Sequence, residues 1–595
     1  MLGIALLAAS TAATAQSGNT PTPQPLAQYD ELTDNKPHDS PEVWQKSMGA
    51  SMVRLAWGNT DTRYAKLSVP TGMSGSATTT LKAWRGERVN MQAVLWTRTD
   101  VDDVTMAMSE LRSKDGHTIG ADRIRTHFVR YVMTDELNKD GKGGCGCRDN
   151  KAEWDSSVVA DVLDINACLP VKRYSAQPLW INVWVPQDAK PGLYSGTLTV
   201  SGKGMEPQQL RVCLNVGSRV LPEPQKWHLN LDLWQNPYAV ARYYGVRLWS
   251  KEHFDAMLPI MKMLANAGQR AITASIMHKP WNGQTEDHYD SMVTRIRKID
   301  GSWRFDYEVF DRWVEFMTNE VGIDGLISCY TMIPWNLSFD YYDEATNRVQ
   351  FVDAKPGDTA YAEYWGVFLK DFAAHLRQKG WFSRTAISMD ERPMEAMQAA
   401  IKVIKDADPE FKITLAGNYH DEIQQDLYYL CIPYGQKFPD EVLRQRRSRG
   451  QISTYYTCCT EAFPGTFSFS APAEATWIGI HAVAGNYDGY LRWAVNSWTA
   501  DPLRDSRFRT WAAGDTYSIY PGPRSSIRFE RLVEGLQDAE KIYQLRQTYQ
   551  RQGNKGKLAR LNRLVATFTP AEMDTKKEAN AAQMVDKLES LLNEQ

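Results

Sequence analysis

The chain has 595 residues, 43% of them hydrophobic and 23% charged, with a formal net charge of -3. That balance is globular and the length predicts several domains, while a near-neutral charge without a long basic run excludes the electrostatic footprint of a nucleic-acid or anionic-membrane binder. The 20 Trp and 27 Tyr stand out; such rings cover the C–H faces of sugars while polar edges hydrogen-bond hydroxyls.

Residues 2–8 form a short apolar run and Ala13-Thr14-Ala15 a small-x-small pattern. Residues 1–15 therefore read as a secretory signal peptide with a curtailed basic start, which predicts export to the periplasm or the extracellular space. No stretch approaches the roughly 18 apolar residues that span a bilayer, so no membrane insertion is expected. Residues 16–49, rich in Pro, Thr and Gln, read as a flexible lead-in. From 50 to 220 the pattern is one of short β segments, at 81–84, 89–96, 127–132, 179–185, 192–200 and 210–216, with turn chemistry at Pro191-Gly192. No helical periodicity intervenes, and a β-sandwich is predicted. Asp135, Asn138, Asp140 and Gly141 look like the opening of a cation loop, but the acid that closes an EF-hand is missing, and no metal site is assigned. The eight cysteines show no zinc spacing, and a bridge from Cys145 or Cys147 to Cys168 is one pairing the spacing permits without fixing it.

Leu221-Pro-Glu-Pro224 is a stiff connector. From 225 to 552 the texture changes to strand–helix alternation. Strands are predicted at 228–233, 271–277, 326–331, 385–389, 412–416, 454–458, 489–493 and 517–520, and helices at 251–267, 310–321, 363–379, 394–406, 474–485 and 526–549. A hairpin, 293–299 with 303–307, hangs from the second strand's loop. Eight strands alternating with helices predict a (β/α)8 TIM-type barrel, with 553–595 as a short helical extension packed on its outside.

In such a barrel the chemistry gathers at the C-terminal ends of the strands. The fourth predicted strand ends in Asp390-Glu391. The same dipeptide occurs at 30–31, 135–136, 343–344, 421–422 and 440–441, where it reads as solvated surface; only the position after a buried strand sets this copy apart. Around it, the other strand ends supply Trp234, His278, Trp335, Asn336, Asn418, Tyr455, Tyr456, Asn496 and Trp498 as candidate substrate contacts. A wall of aromatic rings and amides around two carboxylates suits an uncharged polyhydroxylated ligand, and two acids suit glycosidic-bond cleavage. No cofactor is expected.

Three passages resemble glycoside hydrolase family 123, the β-N-acetylgalactosaminidases: Ile387-Ser-Met-Asp-Glu-Arg-Pro393, Tyr455-Tyr-Thr-Cys-Cys459 and Gly489-Tyr-Leu-Arg-Trp-Ala-Val-Asn-Ser-Trp498. The C-terminal pattern Gly514-Asp515, Tyr520-Pro-Gly522, Ser526-Ile-Arg528 and Glu534-Gly-Leu-Gln-Asp538 is similar to the same family's ending. The resemblance implies removal of terminal β-linked N-acetylgalactosamine from a glycan, with retention, by attack of the substrate's own acetamido oxygen through an oxazolinium-type intermediate. It implies Glu391 as acid/base and Asp390 as stabiliser of the acetamide, and an ionised Asp390 would then keep Glu391 protonated. Tyr455 or Tyr456 would orient the acetamido carbonyl, Trp498 and Trp335 would be sugar platforms, and Arg492 is either a site residue or the partner of a buried acid. Two rival readings are a glycosidase of other specificity with Asp232 or Asp421 as nucleophile, and a catalytically silent glycan-binding protein.

Overall fold

The computed structural model describes residues 29–34, 36–135, 150, 154–461, 463–570 and 577–594. The signal-like segment, Cys145 and Cys147, and Asn138, Asp140 and Gly141 of the loop weighed as a cation site lie outside these.

The N-terminal part is built from two sheets. One has five antiparallel strands in the order Val53–Trp57, Arg88–Thr97, Ser175–Trp184, Ile124–Thr134, Ser157–Leu163. The main path of the other is Thr78–Arg85, Met205–Val220, Gly192–Lys203, Val101–Met108, Cys168–Val171. Side chains alternate across a strand, and the inner faces meet in one core through Leu95, Phe128 and Ile181 from the first sheet and Leu198, Val212 and Leu214 from the second. The opposite face of Ser175–Trp184 is covered too: Trp180 packs with Val129, Tyr131 and Ile527, the last at the start of the distant helix Ile527–Arg551. That second cover explains why both faces of residues 179–185 are largely apolar, with Asn182 the polar exception. Cys168 carries a free, exposed thiol, so the bridge to it that the spacing permitted is not made; Cys459 is the disulfide-bonded cysteine among the described residues.

The two parts are joined through buried charge. Asp161, fully buried on Ser157–Leu163, accepts from Arg63 Nη1 at 3.0 Å, from Arg528 Nε at 2.9 Å and from the Tyr520 hydroxyl at 2.6 Å. Removing one member of such a network strands the others in a dry interior. Asp161→Ala is therefore expected to cost about 3–5 kcal/mol, read as a lowered denaturant midpoint with the slope unchanged.

Beyond the connector lies a curled sheet of eight parallel strands, a TIM-like arrangement. In chain order they are Asn230–Leu233, Ile272–Ser275, Ile327–Tyr330, Thr385–Asp390, Lys412–Ala416, Tyr429–Pro433, Ile452–Tyr456 and Gly489–Arg492, and the first pairs with the eighth. The seam between first and second is held by a single parallel bridge, Leu231 to Gln269, and by amide side chains: Gln269 Oε1 accepts from Leu233 N at 2.9 Å and Gln235 Oε1 from Thr273 N at 2.9 Å.

Two assignments change. The sixth strand is Tyr429–Pro433, which follows the fifth through turns alone, so strict strand–helix alternation breaks there. Residues 517–520 do not join the sheet; Tyr517 and Tyr520 make only single bridges, to Asn496 and Arg524, and carry the chain into the Asp161 network. The 293–299/303–307 hairpin is present as Thr294–Arg297 with Trp303–Asp306, extended by Ser338–Asp343 and Arg348–Asp353 into a four-stranded sheet. The tail helices Lys555–Val565 and Lys577–Leu592 bury Val585, Leu588 and Leu592. They do not rest on the parallel-sheet part alone, since Trp84 Nε1 of the N-terminal part donates to Leu592 O at 3.2 Å. Among the described residues no helix is long and apolar enough to cross a membrane.

Candidate active site

Thr385–Asp390 is buried from Thr385 to Met389 and paired on both sides, Met389 with neighbour Leu415 and Ser388 with Tyr330. Its last residue, Asp390, still pairs with Ala416, and Pro393 then starts the helix Met394–Ala407. Two acids thus leave the C-terminal end of a rigid strand before the chain turns. They open into a cavity of about 480 Å³ walled by Trp234, Trp281, Trp335, Tyr456, Trp493 and Trp511. Arg392 and Asp515 line it as well.

The two carboxyls sit in opposite environments. Burial pushes Asp390 up to about 6, against the pull of the Arg392 charge and of the Trp281 indole. Neither Asp390 Oδ2 nor Trp281 Nε1 completes a hydrogen bond of ordinary geometry, so the indole's effect is weak. Glu391, half-buried, is also raised by desolvation, but its donors outweigh this and hold it below the usual range. Asn418 N donates to Oε2 at 2.9 Å and Asn418 Nδ2 to Oε1 at 2.6 Å, with His420 Nε2 at 3.2 Å from Oε1. The expected protonated Glu391 is not what this free site favours, because hydrogen bonds to the charged form act on Glu391 and not on Asp390, so that Asp390, still ionised at neutral pH, is the neighbour that holds a proton more readily.

Gly417 shapes this cradle. A Cβ there would stand 2.6 Å from Glu391 Cβ, closer than real contacts allow, and a tight 3.1 Å from Oε2. Gly417→Ala is expected to swing Glu391 off its Asn418 donors and cut kcat by about 100-fold, the scale of a 1 Å misplacement. A melting temperature within a few degrees of wild type would separate this from unfolding.

Of the residues singled out from sequence, the structure brings Asp390, Glu391, Trp234, Trp335 and Tyr456 to the cavity and places Asn418 on Glu391. The structure places the two tyrosines differently: Tyr455 is fully buried and donates to Ile478 O at 2.6 Å, so it is part of the core, whereas Tyr456 lines the cavity. Trp498 is also core, edge-on to Tyr243 at 5.4 Å and donating to Ile519 O at 2.8 Å; it is not a sugar platform. Asn496 is spent on Asn236, exchanging hydrogen bonds of 2.8 Å with its backbone N and O, and shapes the end of the first strand instead. His278 Nδ1 lies 3.0 Å from Asp290 Oδ1 and Asn336 is exposed, and neither lines the cavity. Arg492 proves to be the partner of a buried acid, ion-paired with Asp515, whose Oδ2 accepts from Trp493 Nε1 at 3.0 Å.

Sequence reasoning passed over Trp493, Trp511 and Arg392. Trp493 directly follows the eighth strand and could have been found by the strand-end rule. Trp511 lies in a long loop with no periodic signal; its indole donates to Gln284 O at 2.8 Å, tying that loop to the one after the second strand. Among the described residues no group of three or more His, Cys, Asp or Glu is placed to hold a metal ion.

Residues 234–545 match the model of the glycoside hydrolase 123 catalytic domain, and residues 57–202 that of the glycoside hydrolase 123 N-terminal domain. Among solved structures the chain is similar to a family 123 glycoside hydrolase from Clostridium perfringens, studied for glycolipid glycan hydrolysis. The identity is 25% and the TM-score 0.82, over 91% of this chain and 98% of that one. A Bacteroides ovatus GH5 xyloglucanase matches at 10% identity and a TM-score of 0.27, over 81% of this chain and 100% of that one, too weak to argue from. No curated protein matches the chain.

Proposed function

This chain belongs to glycoside hydrolase family 123, and from that premise we propose that it is a retaining, exo-acting β-N-acetylgalactosaminidase working by substrate-assisted catalysis. The observation that carries the reading is a pair of acids at one strand end in an aromatic cavity where, among the described residues, no third carboxylate on the lining is free to act as nucleophile. Asp515, the other acid on the lining, is committed to Arg492 and Trp493. Asp232 is buried outside the lining and Asp421 is exposed, accepting from the Tyr419 hydroxyl at 2.8 Å. A conventional double displacement needs a second carboxylate about 5 Å from the acid, and a neighbouring Asp on a strand end is aimed at a different part of the sugar. The acetamide of the substrate fills that role: its oxygen attacks the anomeric carbon, Asp390 holds the acetamide N–H and offsets the developing positive charge, and Glu391 protonates the leaving oxygen and later deprotonates water. A bound sugar deepens the desolvation that already raises Glu391, moving it toward the protonated form the first step requires. Tyr456 is the candidate donor to the acetamido carbonyl.

The first strand's pairing with the eighth supports reading the sheet as a (β/α)8 barrel that lacks one helix. Export to the periplasm or beyond is supported by the signal-like start and by the disulfide at Cys459; N-terminal sequencing of the mature protein tests it.

The function itself is tested with chromogenic β-GalNAc, β-GlcNAc and β-galactoside substrates. The first should be turned over by far the best. Comparable turnover of the galactoside, which has no acetamide, would remove the mechanism, and binding without turnover of any would leave a glycan-binding protein.

A further inference from the structure

Arg392 is the cation of the cavity wall, and two of its three guanidinium nitrogens are unused. Nη1 donates to Glu391 O at 2.6 Å, while Nε and Nη2 are shielded from water and have no hydrogen-bond partner. These two groups form one edge of the guanidinium, the fork that meets two oxygens at once. A buried donor left unmade is costly, so this edge calls for an acceptor that the chain itself does not supply. The guanidinium carbon lies 4.1 Å from the centre of the Trp335 ring, and Trp335 is 61% exposed at the mouth of the cavity. Asp390 Oδ2 is shielded and unbonded in the same way. A sugar that bonds to Asp390 Oδ2 must therefore displace part of this wall, and the part open to solvent is the Trp335 indole, whose displacement would also uncover the Arg392 fork.

Which part of the substrate meets it follows from the anchoring. Arg392 is fastened to the backbone of Glu391, the residue read as proton donor to the leaving oxygen, and it stacks on the ring nearest solvent. We propose that Arg392 and Trp335 form a subsite for the sugar on the leaving-group side of the scissile bond, Trp335 packing against its C–H face and Arg392 giving Nε–H and Nη2–H to two adjacent oxygens of it. Either a vicinal diol of a neutral hexose or the carboxylate of a hexuronic acid supplies such a pair. The assignment rests on the reading of Glu391 as the acid.

The experiment compares Arg392→Lys and Trp335→Ala with wild type on an aryl β-GalNAc glycoside, on β-GalNAc linked to a neutral hexose, and on β-GalNAc linked to a hexuronic acid. Arg392→Lys keeps the charge and removes the fork, and Trp335→Ala alters an exposed side chain that the fold does not need. Expected is a fall in kcat/KM of about 10–100-fold on a disaccharide, at least fivefold greater than the fall on the aryl glycoside, which has no sugar for the subsite. A wild-type preference for the uronate that collapses in Arg392→Lys identifies a carboxylate; a loss shared by both disaccharides identifies a diol. Equal losses on all three substrates would overturn the subsite and make Arg392 a support of Asp390. Failure of wild type to cleave any β-GalNAc substrate would overturn the functional reading and the subsite with it.

Discussion

Glu391→Gln should lose about 10⁴-fold in kcat/KM on a natural β-GalNAc disaccharide, the upper end of what one general acid supplies. On an aryl glycoside carrying electron-withdrawing substituents the loss should be far smaller. The reason is the leaving group. A sugar alkoxide cannot depart without a proton, whereas an activated phenolate can, so only the poor leaving group depends fully on the acid. Losses of equal size on both substrates would argue that Glu391 does something other than protonate. The same variant has a second signature, in stability. Glu391 accepts from Asn418 N, from Asn418 Nδ2 and faces His420 Nε2, and its folded pKa is depressed. The stabilisation those bonds give is present above the ordinary glutamate range and disappears as pH falls through the depressed value. Gln presents an amide N–H₂ to donors, so the variant should be less stable by about 1–3 kcal/mol near pH 7. That gap should narrow on acidification, as a pH series of denaturation midpoints would record.

Much of this site was legible because its position is set by a strand that is buried throughout. Ala386, Ile387 and Met389 announce a core strand, and the change to Asp390-Glu391 marks where it reaches the rim. The rule that strand ends carry the chemistry then does the rest, and it brings Trp234, Trp335 and Asn418 to the right place. It fails where burial on both faces erases the period. Ser453, Thr454 and Tyr455 are all buried on Ile452–Tyr456, so nothing in the alternation tells that Tyr455 turns to Ile478 and Tyr456 to the cavity. It fails again where a loop folds back: Trp498 and Asn496 follow the eighth strand closely, yet the chain buries one against Tyr243 and locks the other to Asn236.

The missed sixth strand has a different cause. Counting eight strands by alternation presumes a helix between each pair, and the link from Ala416 to Tyr429 has only turns. The alternation rule therefore skips the run Tyr429-Leu-Cys-Ile-Pro433 and takes a later segment, 517–520, as the eighth strand. The roles of Gly417 and the Arg392 fork could not be read at all. Each depends on what a neighbouring element places within 3–4 Å, and that distance is a property of the assembled sheet rather than of any local pattern.

Asp390→Asn is expected to behave as the mirror image of Glu391→Gln. Asp390 is read as holding the acetamide N–H and balancing charge in both formation and opening of the cyclic intermediate. Its loss should therefore cost about 10²–10³-fold on aryl and natural leaving groups alike, because that charge develops whichever group departs. The stability effect should also invert. Burial raises Asp390 to about 6, so the folded state binds its proton more tightly than the unfolded chain does. Whatever favourable contribution this makes is complete below the ordinary aspartate range and is lost as pH rises through about 6. At pH 7.5 wild type carries a desolvated carboxylate with Oδ2 unbonded, and Asn does not; the variant should be more stable there by about 1–3 kcal/mol and indistinguishable near pH 3. The wild-type activity profile should fall on acidification through about 6, where Asp390 gains its proton, and Asp390→Asn should lose that limb. A variant that is inactive, more stable at neutral pH and flat on the acid side would place the charge of the reaction on Asp390; one that is inactive but less stable would show that the carboxylate serves the fold first, and the division of labour between the two neighbours would have to be redrawn.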